Sequence, residues 1–303
     1  SAASDVYKRQ VCEFSNSNSW VILSPIEQSI KRKIEAVGTP LKDWDINIYR
    51  GVLTGCNEAF IISTEKRDEI LANCQTEDER KRTAELIRPI LRGRDIKRYG
   101  YNWAGLYLIA TFPSRHYDIE QYPAVKEYLL SFGIERLEQT GKEHNVNGER
   151  IKARKKTSNK WFETQDSISY WEDFSKPKML WKRVGSILRF CYNDNEALGL
   201  DSTCFATGEN IEFICCVLNS PMGHYLLKDA PKTGTGDLLV SVQAIEPIQI
   251  PQVGLETNSE FKKLLESLIK TDSPSNEKEI SRKVFKLYDL SLEEQSYIEE
   301  NFT

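Results

Sequence analysis

The side chains whose types and spacing point most clearly to chemistry are basic. Residues 80–98 hold eight lysines and arginines against two acids, and residues 150–160 and 176–189 hold six and five with no acid. Such runs can place several positive charges along a row of phosphate groups, which is the electrostatic requirement for binding nucleic acid. The alternative is that they are ordinary solvated faces of a protein surface.

The net charge of the chain conceals this concentration. The formal net charge is −4, but residues 251–303 alone carry eleven acids against seven bases. Positive charge is therefore gathered in the middle of the chain and negative charge at its end. We expect the middle to face a nucleic-acid backbone and the acidic end to pack elsewhere.

The candidate DNA contacts lie in three parts of the sequence. The first surrounds Pro89 and Gly93, which interrupt regular structure, the second is the 150–160 segment, and the third is the end of the strand predicted at 178–184. They are Arg88, Arg92, Arg94, Lys97, Arg98, Lys152, Arg154, Lys155, Lys156, Lys160, Trp161, Lys182 and Arg183. Basic side chains can bind phosphates, and an adjoining aromatic ring can stack on a base or a sugar. Two structural alternatives stay open, an Arg94–Asp95 ion pair and Trp161 as a core anchor. Spacing does not assign the side chains that read base edges.

Motifs for catalysis are absent from the sequence. It contains no GxGxxG after a predicted strand, no GxxxxGK[ST], no GxSxG and no Asn-Pro-Pro-Tyr segment. The small-residue run at 232–236 is interpreted as a turn. Three histidines and seven scattered cysteines without a CxxC pair argue against zinc and indicate reduced thiols in the cytoplasm. We therefore predict no catalytic, cofactor-binding or metal-binding residue in this chain, and whether it is an enzyme stays open.

The elements that must position these side chains indicate an α+β fold, a mixed short-stranded twisted sheet with flanking helices followed by a helical C-terminal tail. Ser24, Pro25 and Glu27 predict the start of a helix. Strands are predicted at 45–49, 59–63, 106–111, 178–184, 187–192 and 240–245. Further helices are predicted from Thr76 to near Pro89 and at 124–132, 211–218, 259–271, 277–288 and 292–301. Residues 140–160 lack apolar periodicity and predict a long loop.

Four segments follow one another in a recognisable order. Residues 49–60 read YRGVLTGCNEAF, and residues 87–99 read IRPILRGRDIKRY. The third segment begins at Tyr122-Pro123 and resumes with KWFE at 160–163 and FSKPKMLW at 174–181. The fourth comprises LNSP at 218–221, IQIP at 248–251 and VFKLYDL at 284–290. From about residue 40 onward, this order resembles the C-terminal specificity (target-recognition) domain of TaqI-type and related type IIG restriction–modification methyltransferases.

The resemblance implies sequence-specific DNA binding on behalf of an adenine-specific DNA methyltransferase. In that family a preceding catalytic domain binds S-adenosylmethionine, and Mg²⁺ is a further candidate cofactor if the parent protein also cleaves DNA. The expected partners are double-stranded DNA and the methyltransferase domain of the same parent polypeptide, in the cytoplasm and without a membrane. Residues 1–10 resemble a translated adaptor remnant, so we expect the catalytic part to be missing upstream.

The sequence thus predicts a leader over residues 1–23, a DNA target-recognition domain over 24–250 and a helical C-terminal subdomain over 251–303. Two other functions stay open. One is a self-contained enzyme, such as a hydrolase, with an unrecognised site. The other is a protein-interaction module whose acidic helices dock on a methyltransferase.

Overall fold

The computed structural model describes residues 22–302 and confirms the α+β class. Most of the predicted leader, residues 1–21, lies outside the described residues. The helices are α1 (Pro25–Val37), α2 (Asn57–Phe60), α3 (Thr64–Ala72), α4 (Glu77–Leu86), α5 (Pro123–Leu130), α6 (Ile134–Leu137), α7 (Ile211–Asn219), α8 (Pro221–Leu226), α9 (Val242–Ile245), α10 (Leu255–Lys270), α11 (Pro274–Leu287) and α12 (Leu292–Phe302). Across residues 22–302, no helix combines the length and the apolar character needed to cross a bilayer.

The strands are short, and most have two to five residues. They are β1 (Thr39–Pro40), β2 (Ile46–Arg50), β3 (Ile61–Ser63), β4 (Ile87–Leu91), β5 (Leu106–Ile109), β6 (Glu143–Val146), β7 (Glu149–Lys152), β8 (Lys178–Lys182), β9 (Val184–Gly185), β10 (Phe190–Asn193), β11 (Leu198–Gly199), β12 (Thr203–Gly208), β13 (Leu238–Leu239) and β14 (Gln249–Ile250).

Helix α1 begins where the sequence predicts it. The Ser24 hydroxyl accepts a hydrogen bond from the Glu27 amide, and the Glu27 carboxylate accepts one from the Ser24 amide. Pro25 occupies the first helical position, where no amide hydrogen is needed, and Gly38 follows the last turn. Ile30 is fully buried on the inner face of this helix, which fixes α1 against the body of the protein.

A four-stranded sheet with the order β10–β8–β12–β2 forms the middle layer, and its neighbouring strands are antiparallel. We call it the central sheet. In β8, Met179 and Trp181 point to one side and Leu180 to the other, because successive residues of a strand alternate between faces. All three are buried, which explains why this strand reads as a continuous apolar run.

Two apolar cores lie on the two sides of the central sheet. The first core packs α1, α7, α8 and the three C-terminal helices against Met179 and Trp181. The second core packs another four-stranded sheet, with the order β11–β4–β5–β3, and helices α2 to α6 against Leu180. The central sheet therefore holds the two halves of the fold in a fixed relation.

The acidic C-terminal helices pack on the rest of the chain. Phe261 and Leu265 of α10 and Ile280 and Phe285 of α11 are buried in the first core together with α7. Their apolar sides are thus covered by residues of the same polypeptide. The boundary at residue 250 between a target-recognition domain and a helical subdomain stays a prediction.

Several segments differ from the sequence-based prediction, which omits helix α3 and continues the helix after Thr76 to near Pro89, where residues 87–91 form β4. Residues 140–160 contain the antiparallel hairpin β6–β7 in place of a continuous loop. Residues 242–245 form the short helix α9 where a strand is predicted, and the prediction omits β12, the strand that lies between β8 and β2. The hairpin had a sequence signal, since its tip is Asn147-Gly148, and both residues have positive φ (51° and 83°), as two-residue hairpin turns require.

Candidate nucleic-acid interface

Basic side chains gather at one end of the central sheet. Strand pairing places Arg50 of β2 and Lys182 of β8 on either side of residues 203–204 of β12. Arg189 directly precedes β10, whose first residue pairs with the residue before Lys182. Since neighbouring strands lie about 4.8 Å apart, Arg50, Lys182 and Arg189 span roughly 15 Å across the end of the sheet.

A tight turn at Gly93–Asp95 joins the same end of the sheet. The Gly93 amide donates a hydrogen bond to Ser202 Oγ (3.0 Å), and a Cβ on Gly93 would lie 2.9 Å from Lys182 Cγ. Arg94 is exposed on this turn, and the exposed Lys97 lines one cleft together with Arg189. Glycine at position 93 therefore allows the turn to bring Arg94 and Lys97 beside the strand ends.

Arg183 and Lys155 complete the group. The Arg183 amide donates to the Ser202 carbonyl (2.9 Å), which holds Arg183 beside the same turn. Burial raises the pKa of Asp166, while the charges of Arg50 and Lys155 oppose the rise, so both cations lie near this carboxyl group. We call the group the basic end of the sheet; it consists of Arg50, Arg94, Lys97, Lys155, Lys182, Arg183 and Arg189.

Acids neutralise only part of this group. Within the described part of the chain, Arg50 is its one member that forms an ion pair, with Asp201 at 3.7 Å. Asp272 and Glu277 line the cleft that Lys97 and Arg189 share. An exposed cation without a carboxylate partner is free to exchange its water and counterions for a phosphate group. The basic end therefore has the electrostatic character of an anion-binding surface.

The hairpin β6–β7 comes after helix α6 in the sequence, and its second strand ends three residues before Lys155. Asn145 and Arg150 lie directly opposite each other, and their pair shares a face with the pair Glu143 and Lys152. These four side chains are exposed, and Arg150 forms an ion pair with Glu143 while 80% of its side-chain surface stays accessible. One face of the hairpin thus presents an amide and a guanidinium side by side.

Arg154 anchors the root of this hairpin. Its guanidinium donates hydrogen bonds to the carbonyl oxygens of Leu137 (2.7 Å), Thr54 (2.6 Å) and Trp161 (2.9 Å). It lies over the ring of Phe60, and only 5% of the residue is exposed. Burial lowers the pKa of Arg154 to about 10. The prediction that Arg154 contacts phosphate is therefore wrong, because its donors are already used inside the protein.

The glycine-rich segment at residues 51–57 shapes the same root. Gly55 has φ +78°, and a Cβ there would lie 2.9 Å from Arg154 Cδ. Gly51 has an ordinary φ but no space, since a Cβ would lie 2.0 Å from the Leu200 carbonyl oxygen. The Thr54 hydroxyl donates to Asn57 Oδ1 (2.6 Å). The structure thus supports a structural role for this motif and gives positive φ to Gly55 alone among its glycines.

Two predicted contacts are engaged in ion pairs. Arg92 donates to both carboxylate oxygens of Asp95 (3.1 and 2.9 Å), so Asp95 pairs with Arg92 and not with Arg94. Arg98 donates to Glu277 of α11 (2.8 Å) and to the Asn219 carbonyl (3.0 Å). These bonds give Arg92 and Arg98 structural roles, because an arginine bound in this way fixes neighbouring segments to each other.

The remaining predicted residues lie elsewhere. Lys152, Lys156 and Lys160 are exposed on the hairpin and after it. Trp161 is half-buried, meets Phe162 edge to face at 5.5 Å and packs against the second core, which agrees with its interpretation as an anchor. Arg88 lies on β4, at the end of that strand away from the basic end.

Sequence reasoning missed Arg50 and Arg189 as candidate contacts. Arg50 lies inside the first motif, and Arg189 belongs to the basic run at 176–189. Arg50 is the last residue of β2, and Arg189 directly precedes β10. These two strands lie in one sheet only because β12 and β8 stand between them. Because the sequence-based prediction omits β12, it does not place Arg50 and Arg189 in the same sheet.

Comparisons with known proteins point to restriction–modification enzymes. The chain is 24% identical over 294 residues to the type II methyltransferase M.PaeR7I of Pseudomonas aeruginosa, an alignment that covers 95% of this chain and 46% of that protein. Its fold is similar to part of the type IIG restriction endonuclease BpuSI, with a TM-score of 0.53 at 12% identity over 91% of this chain and 31% of that chain. No family model matches.

A second solved structure shares the fold. The type IIL restriction–modification enzyme MmeI, solved in complex with DNA, aligns with a TM-score of 0.55 at 10% identity, over 87% of this chain and 36% of that chain. The chain therefore spans about half of the curated methyltransferase and about a third of each solved enzyme. These findings support the restriction–modification resemblance in its general form, and the TaqI-type assignment stays a prediction.

Proposed function

We propose that this chain is the DNA target-recognition region of a restriction–modification methyltransferase. The observation that carries the proposal is the basic end of the sheet, where cations from separate parts of the sequence meet. Similarity to a type II methyltransferase over 95% of the chain supports it. Neither feature depends on the total charge, which the acidic tail makes negative.

The basic end supplies the contacts that fix DNA in place. Each phosphate that a lysine or arginine neutralises releases a condensed counterion, and this makes binding favourable and dependent on salt. Arg94, Lys182 and Arg189 are exposed and form no ion pair among residues 22–302, so phosphate contacts would not have to break an existing bond. Such contacts set the position of the protein on the duplex without reading its sequence.

The hairpin β6–β7 supplies the contacts that read the sequence. A two-stranded ribbon fits the major groove of B-DNA, where arginine pairs with guanine and asparagine with adenine through two hydrogen bonds each. Asn145 and Arg150 lie opposite each other on one exposed face. Arg154 fixes the root of the ribbon, so these two side chains project from a rigid support.

The chemistry belongs to the remainder of the parent protein. We infer a TaqI-type, type IIG-like organisation in which an adenine-specific methyltransferase domain binds S-adenosylmethionine, with Mg²⁺ added if the parent also cleaves DNA. That domain and duplex DNA are then the partners of this region, in the cytoplasm. The methyltransferase domain would act on a base flipped out of the duplex that this region holds.

A salt titration tests the phosphate contacts. The double variant Arg94→Ala/Lys182→Ala should flatten the slope of log K against log[salt] for duplex DNA by up to about 1.8, since each lost contact removes about 0.9. The matched control is Lys263→Ala/Lys286→Ala, which removes the same charge from exposed positions on α10 and α11. Fluorescence anisotropy over a range of NaCl concentrations measures both slopes.

Equal slopes for the two double variants would remove the basic end from the DNA interface. A flattened slope for the α10–α11 control alone would place the DNA on the C-terminal helices. Either result would overturn the proposal, because the same charge is removed in both variants and only its position differs.

A further inference from the structure

A second concave cluster of arginines lies away from the basic end. Arg82 of α4, Arg88 of β4 and Arg115 line a cavity of about 320 Å³, which is within the size range of small-ligand sites. Tyr117, Tyr122 and Trp171 form its aromatic wall. Arg88 and the turn that follows β4 stand at opposite ends of a five-residue strand, about 13 Å apart, so this cavity is separate from the basic end.

Within residues 22–302, the three guanidinium groups are held by contacts other than ion pairs. Arg82 donates to the Gln121 carbonyl (3.2 Å), and Arg88 donates to the Glu196 carbonyl (2.8 Å). Arg115 lies over the ring of Trp171, with its guanidinium carbon 3.5 Å from the ring centroid. Among residues 22–302, none of the three forms an ion pair, in contrast to Arg92 and Arg98. Backbone carbonyls and an aromatic ring therefore orient these cations in place of direct ion pairs.

The cations are close enough to act on the same groups. The charges of Arg88 and Arg115 both oppose the rise that burial causes in the pKa of Tyr117. Burial lowers the pKa of Arg88, the charge of Glu196 opposes this, and the charge of Arg115 adds a smaller lowering. Glu85 and Glu196 also line the cavity, so it holds three positive and two negative side chains.

We propose that this cavity binds a phosphate group. Arginine presents its N–H donors in a planar fork that matches two oxygens of a phosphate, and three arginines around one cavity can approach one anion from three directions. The phenol groups of Tyr117 and Tyr122 can donate further hydrogen bonds. The lining carries one more positive than negative side chain, so an anion that enters the cavity meets a net positive charge.

Phosphate of this kind can come from a free small ligand or from the backbone of DNA, and two titrations separate these sources. Inorganic phosphate is titrated into the whole chain at constant ionic strength by calorimetry, and a short DNA duplex is titrated by anisotropy. The test variant is Arg82→Gln/Arg115→Gln. The control is Arg67→Gln, which removes an arginine that also lies over an aromatic ring, Tyr107 at 4.9 Å, but lines no part of this cavity.

Each lost guanidinium contact should weaken binding about tenfold, the lower end of the effect of a hydrogen bond to a charged group. Weaker phosphate binding in the test variant alone shows a small-ligand site. Weaker duplex binding with a flatter salt slope, in the absence of phosphate binding, shows a backbone contact. Both outcomes support the site, and unchanged affinity for both probes in a variant with unaltered thermal unfolding overturns it. A chain that binds phosphate here but no duplex would refute the proposed function and leave this inference standing.

Discussion

Replacement of Arg154 by alanine separates a structural role from a DNA contact. The variant leaves the carbonyl oxygens of Leu137, Thr54 and Trp161 without their donor. A buried acceptor that loses its partner costs about 1–3 kcal/mol, and two of these three bonds are buried while that to Trp161 is partly so. Release of the buried charge offsets part of this cost, so we expect a loss of about 3 kcal/mol in the free energy of unfolding.

The assay is urea unfolding followed by circular dichroism, with Lys155→Ala as the control. Lys155 is the next residue and is exposed, so its replacement should change the free energy of unfolding by less than about 0.5 kcal/mol. Arg154→Lys should fall between wild type and Arg154→Ala, because one ammonium group cannot reach three carbonyls in the fork geometry of a guanidinium.

The two alanine variants should rank in the opposite order in their effect on DNA binding. At a temperature where both variants are folded, Lys155→Ala should flatten the salt slope by about 0.9, and Arg154→Ala should leave it unchanged. A stable Arg154→Ala variant with a flattened slope would refute the reasoning. That result would mean that the guanidinium leaves its three carbonyls and faces phosphate.

Three further predictions follow from the described contacts. Gly55→Ala should lower the free energy of unfolding by about 1–3 kcal/mol because φ at this position is +78°. Gly51→Ala should lower it further, because a backbone oxygen lies 2.0 Å from the new Cβ. Thermal unfolding of the two variants tests this order. Burial lowers the pKa of Lys178 to about 7, so the unfolded chain binds more protons above pH 7 and stability should rise by about 1 kcal/mol from pH 7 to 8. Lys178→Met should abolish this rise in urea titrations, and a persistent rise would assign it to other groups. Arg98→Ala should lower the melting temperature without changing the salt slope, since its partners are Glu277 and the Asn219 carbonyl; a changed slope would return Arg98 to the DNA interface.

The helices that begin with a capping motif could be predicted closely because their signals are local, whereas the sequence-based prediction omits α3 and places a strand where α9 lies. Ser24 with Glu27 and Ser291 with Glu294 form the hydrogen-bonded capping boxes that the sequence predicts. Thr76 also caps α4 as predicted, although the carboxylate of Glu79 accepts hydrogen bonds from the amides of Gln75 and Ala124. Such signals need only three or four consecutive residues, so tertiary context rarely alters them.

Strand β12 shows why the sheet was harder to predict. Its sequence, residues 203–208, mixes two threonines, a cysteine and an alanine around Phe205, and it has neither strict alternation nor a β-branched run. Its place comes from pairing with β2 and β8, which are more than 150 and more than 20 residues away along the chain. Because such pairing is set by the whole core, no local pattern could bring Arg50 and Lys182 to the same end of the sheet.

The candidate site was predicted in part for the same reason. Charge runs identified Arg94, Lys97, Lys155, Lys182 and Arg183, which the structure brings to one end of the central sheet. The same runs contain Arg92, Arg98 and Arg154, which are indistinguishable from them in sequence but form internal bonds. Basic composition shows how much charge a segment carries, and only the fold shows which side chains remain available to a ligand.

Lysine protection tests the basic end most directly. The chain is treated with an acetylating reagent with and without duplex DNA, and modification of each lysine is followed by mass spectrometry. We predict that DNA protects Lys97, Lys155 and Lys182, while Lys263 and Lys286 on the C-terminal helices react equally in both samples. Protection of Lys263 and Lys286, with Lys97, Lys155 and Lys182 still reactive, would show that DNA binds a different face.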